Sequence, residues 1–135
     1  NSRKIPLLSF VQAGVMTESG DNSYDDWIDV GEDIPENAYA LEIRGTSMEP
    51  VFHEGQIVII DPNLCPHPGD YVVARLDNTY GNEATMKQYA VTGIDEFGRD
   101  IFELRPLNPL FPTLSSRTNP LQILGVVIEC RTRFR

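Results

Sequence analysis

Ala40-Leu41-Glu42-Ile43-Arg44-Gly45-Thr46-Ser47-Met48-Glu49-Pro50 is the stretch from which the rest of the chain can be read. With Tyr39, the apolar residues Leu41 and Ile43 fall on one face and Glu42 and Arg44 on the other, the alternation of a strand. Gly45 breaks that alternation, and a Gly-Thr-Ser-Met turn then delivers the hydroxyl of Ser47 at the strand's end. The residues up to Glu54 contain Pro50 and leave room only for a turn or one short helix. A serine hydroxyl is a weak nucleophile at neutral pH and needs a neighbour to take its proton, which a lysine does when its amine is neutral. Downstream, Ala84-Thr85-Met86-Lys87-Gln88-Tyr89 sets one lysine inside a strand-like run. Burial beside Met86, Tyr89, Ala90 and Val91 would disfavour the ammonium and lower its pKa. Ser47 is therefore the candidate nucleophile and Lys87 its base. Backbone N–H groups of a tight turn point in one direction, so those of Thr46 and Ser47 are the candidate oxyanion donors.

Moving outward, Gln56-Ile57-Val58-Ile59-Ile60 is a β-branched run closed by Asp61-Pro62-Asn63, which predicts a buried strand. Pro66, Pro68 and Gly69 mark a turn before a strand over 70–76, and 77–82 reads as a hairpin loop returning through 83–91, with Lys87 mid-strand. Gly93, Asp95 and Gly98 predict a turn, 99–104 another strand, and the prolines at 106, 109, 112 and 120 an irregular connection. Residues 121–130 close the pattern with Ile123-Leu124-Gly125-Val126-Val127-Ile128, apolar on both faces. Such a strand is either central in its sheet or covered by a second subunit, and it motivates a homodimer. Arg131, Arg133 and Arg135 read as a solvated strand face.

Toward the start, Ile5 to Phe10 is apolar, but Pro6 argues against a central strand and predicts an extended or edge segment that can move. It leads into Val11-Gln12-Ala13-Gly14. Trp27, with Ile28 and Val30, reads as a hydrophobic anchor within an acidic region. The fold class is mostly β: a single compact domain with a partly rolled antiparallel sheet and little helix. Residues 1–36 form a leading segment and acidic connection, and 37–135 the core.

The 135 residues are 41% hydrophobic, enough for one real core and too few to expect two. The formal charge of −9 is uneven: eight acids and no Lys or Arg lie between Glu18 and Glu36, while the other 12 acids nearly balance all 11 bases. That stretch reads as a solvated, partly mobile connection. An acidic domain lacks the Lys and Arg that displace phosphate counterions, so direct DNA binding by this chain is not expected. Cys65 and Cys130 stand at unrelated positions without ligand spacing and read as buried, reduced thiols of a cytoplasmic protein. His53 and His67 are isolated, so no metal is expected, and no cofactor motif is present. No apolar run approaches a membrane span, so no membrane partner is expected. Asn1 in place of an initiator methionine suggests a piece of a longer protein.

Gly-Thr-Ser-Met-Glu-Pro at 45–50 together with Thr-Met-Lys-Gln at 85–88 resembles the LexA, UmuD and lambdoid phage repressor family of self-cleaving Ser-Lys peptidases. Gly55, Val58 and Asp61, then 68–74, then Leu104-Arg105-Pro106-Leu107-Asn108-Pro109, and finally Gly125-Val126-Val127 extend the likeness over nearly the whole chain. Val11-Gln12-Ala13-Gly14 is similar to the family's cleavage region. The resemblance implies a C-terminal repressor domain that dimerises. Such a domain cuts its own Ala13–Gly14 bond when a RecA–single-stranded-DNA filament forms in the SOS response to DNA damage. DNA would be bound through a separate N-terminal module. Val11, two residues before Ala13, would then fill an apolar substrate pocket. A UmuD-like accessory subunit of an error-prone polymerase, activated by the same cut, carries the same motifs. Type I signal peptidases share the Ser-Met-x-Pro element and the lysine but are held by membrane spans. A dimerisation module with a dead site is the non-enzymatic alternative.

Overall fold

The β-branched run after the serine turn becomes the strand on which the sheet is built. In the computed structural model, which describes residues 3–15, 24–77 and 83–132, β4 (Ile57–Asp61) has Val58, Ile59 and Ile60 fully buried. On one side it pairs antiparallel with β3 (Tyr39–Glu42). On the other it pairs with β9 (Leu121–Arg131), whose second edge takes β5 (Tyr71–Leu76). The chain then runs through β6 (Ala84–Ile94), β7 (Asp100–Arg105) and the two-residue β8 (Leu114–Ser115). With β1 (Arg3–Leu8), a short helix α1 (Phe10–Gly14) and β2 (Trp27–Val30), the described elements form one open sheet in the order β2-β1-β3-β4-β9-β5-β6-β7-β8. The mostly β class read from the sequence is what the structure has.

The order of the strands demands that this sheet curve. β3 and β6 are separated by three strands, so in a flat sheet they would stand about 19 Å apart at a spacing of about 4.8 Å. One core cluster nonetheless joins Leu41 of β3, Val58 of β4, Val73 of β5 and Met86 of β6 with Leu8 and Ala13. The bending is local to β9. Its register slips against β4 between Ile59 and Ile60 and against β5 between Val73 and Ala74. Each slip leaves one extra β9 residue, Ile128 or Leu124, and such bulges bend and twist a strand. Beside this cluster, Ile5, Val30, Ile34, Ala38, Ala40 and Ile59 form a second core, and Val72, Ala74, Tyr89, Leu104 and Val126 a third.

Several expectations are corrected. β1 is not an edge: its first residues pair antiparallel with β2 and Leu7 and Leu8 pair parallel with β3, the one parallel pairing in the described sheet. Pro6 is tolerated because it stands where pairing passes from one partner to the other, and the next donor, the Leu7 N–H, goes to the Asp26 carbonyl at 2.9 Å. Trp27 is not the anchor. It is 48% exposed, because strand alternation turns Ile28 and Val30 inward instead. Both cysteines are free and exposed. β6 continues through Gly93, where its register against β7 shifts, and the turn proper begins at Asp95, whose carboxylate accepts from the N–H groups of Phe97 and Arg99. The C-terminal strand is central, with both edges paired. The expected hairpin tip at 78–82, part of the acidic connection at 16–23, and Arg133 and Arg135 lie outside the described residues.

Candidate functional site

Between β3 and β4 the chain makes an excursion whose two ends are tied together. The Ile43 N–H donates to Gln56 O at 2.8 Å, and the Gly55 N–H returns to Ile43 O at 2.9 Å. Gly45 turns the chain with a φ of 79°, a value that only glycine adopts without strain, and its N–H donates to the Glu54 carboxylate. Met48 and Phe52, one helical turn apart, are both buried, and the Phe52 ring meets Tyr71 edge-on at 4.8 Å. These two anchors fix the turn from below and leave Ser47 half-buried at its crest.

Lys87, the predicted base, lies on β6 opposite Val72 of β5 and is only 8% exposed. Its Nζ donates to Ser47 Oγ at 3.3 Å and to Thr85 Oγ1 at 2.9 Å. Burial lowers its pKa below the ordinary lysine value, since the charged form loses its hydration and no carboxylate among the described residues pairs with it. The curvature of the sheet is what brings together two residues that pairing order alone would hold apart. A cavity of about 150 Å³ opens beside Ser47, lined among others by Phe10, Ile43, Gly45, Met48 and Thr85. Thr85 had no role in the sequence reading. Its signal was a hydroxyl two residues before the lysine, hence on the same face of the strand.

The backbone around Ser47 is held from a second direction. Asn108, in the proline-flanked connection after β7, donates its N–H to Ser47 O at 2.9 Å and its Nδ2 to Thr46 O at 3.1 Å. Among the described residues, the N–H groups of Thr46, Ser47 and Met48 donate to no protein group. Likewise, no three metal-ligating side chains converge among the described residues. No helix there is long and apolar enough to cross a membrane.

The predicted cleavage segment is not extended. Ser9 caps α1, accepting from the Gln12 N–H at 3.1 Å while the Gln12 side chain accepts from the Ser9 N–H at 2.8 Å. This reciprocal Ser-x-x-Gln box is a helix start signal that was present in the sequence. Ala13 is fully buried in the first core cluster. The Gly14 carbonyl accepts from Arg75 Nη1 at 2.8 Å, and the same guanidinium is held by Asp77 and Gln122. Val11 fills no apolar pocket here: it is 59% exposed, on the rim of a groove of about 350 Å³ that continues from the Ser47 cavity past Phe10, Arg44 and Glu83. Phe10, and neither Ala13 nor Gly14, lines the cavity at Ser47.

Residues 6–128 match the Peptidase S24-like family. The chain is 35% identical over 140 residues to the HTH-type transcriptional regulator for conjugative element R391 of Providencia rettgeri, covering 97% of this chain and 61% of that protein. It is 32% identical to repressor protein C2 of Salmonella phage P22, covering 93% of this chain and 58% of the repressor. Against the LexA repressor of Thermotoga petrophila the identity is 30%, with 93% of this chain and 60% of the relative covered. The chain thus spans less than two thirds of the length of each of these relatives.

Proposed function

Since the chain belongs to the Peptidase S24-like family, we propose that it is the self-cleaving regulatory domain of a cytoplasmic, LexA-like or phage-type transcriptional repressor. Ser47 Oγ attacks the carbonyl carbon of Ala13, and its proton passes to the neutral amine of Lys87. The C–N bond to Gly14 breaks, the new amino terminus takes the proton from Lys87, and water releases the ester. The observation that carries this reading is the 3.3 Å approach of Lys87 Nζ to Ser47 Oγ, with the lysine buried and its pKa lowered. A neutral amine at hydrogen-bond distance from a hydroxyl is the arrangement nucleophilic activation requires.

In the described conformation α1 holds Ala13 in helical hydrogen bonds, its N–H donated to Ser9 O at 3.0 Å. Cleavage therefore needs α1 to unwind and carry Ala13 to the cavity at Ser47. Substrate and catalyst are tethered, so the rate follows the fraction of time the segment is docked. By the family resemblance, a RecA–single-stranded-DNA filament acts by raising that fraction, and a homodimer of this domain holds the repressor on DNA through a separate module. The relatives are named repressors and transcriptional regulators, which supports the repressor over the polymerase-accessory reading.

The test is the intact mass of the chain before and after incubation with activated RecA filament, and alone at raised pH. A cut with Gly14 as the new N-terminus is expected, abolished in Ser47→Ala and in Lys87→Ala, because members of such a pair act as a unit. A new N-terminus elsewhere overturns the substrate assignment. Cleavage of Lys87→Ala at the parent rate overturns the base.

A further inference from the structure

We propose that Arg75 is a brake on self-cleavage: its guanidinium clamps the carbonyl of Gly14, the residue just after the scissile bond, and holds α1 away from Ser47. The proposal rests on the self-cleavage reading above. Arg75 lies on β5, opposite Ala84 of β6 and Gln122 of β9. Its side chain is only 20% exposed, and each of its three nitrogens has a partner. Nη1 donates to Gly14 O at 2.8 Å, Nε to the Asp77 carboxylate at 2.6 Å, and Nη2 to the side-chain carbonyl of Gln122. Asp77 is anchored in turn, its N–H donating to Pro120 O at 2.8 Å. Asp77 and Gln122 belong to the sheet and its loops, not to α1, so they hold the guanidinium in place and the Gly14 carbonyl has to come to it.

The clamp matters because α1 has little stability of its own. A helix of five residues is too short to persist in water, and its last carbonyls find no partner inside it. No basic residue lies in its last turn, and among the described residues the Gly14 carbonyl accepts from no backbone N–H. Arg75, 61 positions away, supplies the cation at the negative end of the helix, through a charge-assisted bond, the stronger kind. The Ser9 cap and the burial of Ala13 hold the part of the segment before the scissile bond. Among the described contacts, the hydrogen bond that ties the Gly14 side of that bond to the sheet is the one from Arg75. Across the trans peptide the Cα atoms of Ala13 and Gly14 stand about 3.8 Å apart, so Ala13 cannot move to Ser47 without carrying Gly14 with it. Neither of them lines the cavity at Ser47, and docking therefore breaks the Arg75 bond. A bond present only in the undocked state weights the equilibrium against the docked one, and its removal shifts the population toward cleavage.

Arg75→Gln removes the charge and the fork while keeping a polar side chain beside Gln122. Two quantities are read on the parent and the variant. One is the first-order rate of unassisted self-cleavage on the alkaline plateau, where the amine of Lys87 is already neutral and the lost charge does not act through its titration. The other is hydrogen exchange of the α1 amides, above all that of Ala13, which donates to Ser9 O. Exchange is measured with Ser47→Ala in both chains so that no cut intervenes, and the β4 amides serve as the control for loosening of the whole fold. The expected result is a cleavage rate roughly tenfold above the parent's, the order of one charge-assisted hydrogen bond, with α1 exchanging faster and β4 unchanged. A contact that served only to hold the fold together would lower the rate when lost, not raise it. Arg75→Lys, which keeps the charge but cannot hold three partners, should give a smaller rise in both quantities, and it carries the same test if the glutamine variant does not fold. A cleavage rate at or below the parent's overturns the brake, and so does α1 exchange that stays as it was. A chain that is never cut, parent or variant, while α1 exchanges faster in the variant overturns the self-cleavage reading and the brake with it, and leaves Arg75 a structural clamp.

Discussion

Thr85→Val isolates the acceptor that holds Lys87, the proposed base. The ammonium of Lys87 has two hydroxyl neighbours, and Thr85 Oγ1 at 2.9 Å is nearer than Ser47 Oγ at 3.3 Å. Valine keeps the branched shape on β6 and removes only the hydroxyl. A hydrogen bond to a charged group contributes about 1.5–3 kcal/mol and one between neutral groups about 1, so the protonated lysine loses about 1–2 kcal/mol more than the neutral one. At about 1.4 kcal/mol per pKa unit this moves the Lys87 pKa down by about one unit, in the same direction as burial already moves it. A less basic amine is also a poorer proton acceptor, so the plateau rate should fall severalfold. First-order rates of unassisted cleavage, followed by intact mass from about pH 6 to about pH 11 around the unperturbed lysine value, should show a midpoint shifted to lower pH and a lower plateau. The variant should approach the parent at the acid end, where its larger neutral fraction offsets the weaker base. A midpoint that rises would mean that Thr85 donates to the neutral amine instead of accepting from the ammonium, and an unmoved profile would mean that it does not touch the reacting lysine; either refutes the reasoning.

Two further outcomes follow from burial. Lys87→Met should stabilise the fold below the folded pKa of Lys87, where the parent carries a charge in a desolvated place. The folded pKa lies below the unfolded value of 10.5, so across that window the unfolded chain holds the proton that the folded chain has lost, and parent stability rises with pH. Denaturant titrations should find the methionine variant's advantage largest below the folded pKa and gone above 10.5; an advantage that grows with pH contradicts the assignment. Gly125→Ala should destabilise by about 2–4 kcal/mol, from overpacking and an unfavourable backbone region together. The new Cβ would overlap Ile60 Cγ2 and stand 3.1 Å from Asp61 O, at a φ of +157°. That is a large share of the roughly 5–15 kcal/mol typical of a domain, and an unchanged urea midpoint would show that β9 moves aside.

What could be read from the sequence was what is local and periodic. The run at 57–60 became a buried strand because its β-branched residues fit a two-sided apolar layer, and Ser47 and Lys87 stood out because a hydroxyl delivered at a strand's end and an amine inside an apolar strand-like run suit a nucleophile and its base. Pairing partners are not local, so nothing at Pro6 showed that β1 would lie between β2 and β3. The helix at 10–14 was legible through Ser9 and Gln12 but competed with an apolar run that also fits a strand. Trp27 departs from expectation because alternation outweighs hydrophobicity and turns its neighbours Ile28 and Val30 inward. Thr85 and Asn108 act on groups 2 and 62 positions away. The first was open to face arithmetic, while the second depends on a tertiary contact that no spacing encodes.

The position of β9 sets a schedule for assembly. The strands on one side of it, β1 to β4, come from the first half of the chain, those on the other, β5 to β8, from the second, and β9 is the only strand that pairs with both. Ser47 belongs to the first group and Lys87 to the second. During synthesis from the N-terminus the two groups of strands emerge without the seam that joins them, and such distant pairings are slow to form. Ser47 and Lys87 meet only when β9 has been made and inserted. A nascent chain that lacks β9 would therefore carry both residues in unjoined halves, which, on the self-cleavage proposed above, would keep it from cutting itself before the sheet is joined.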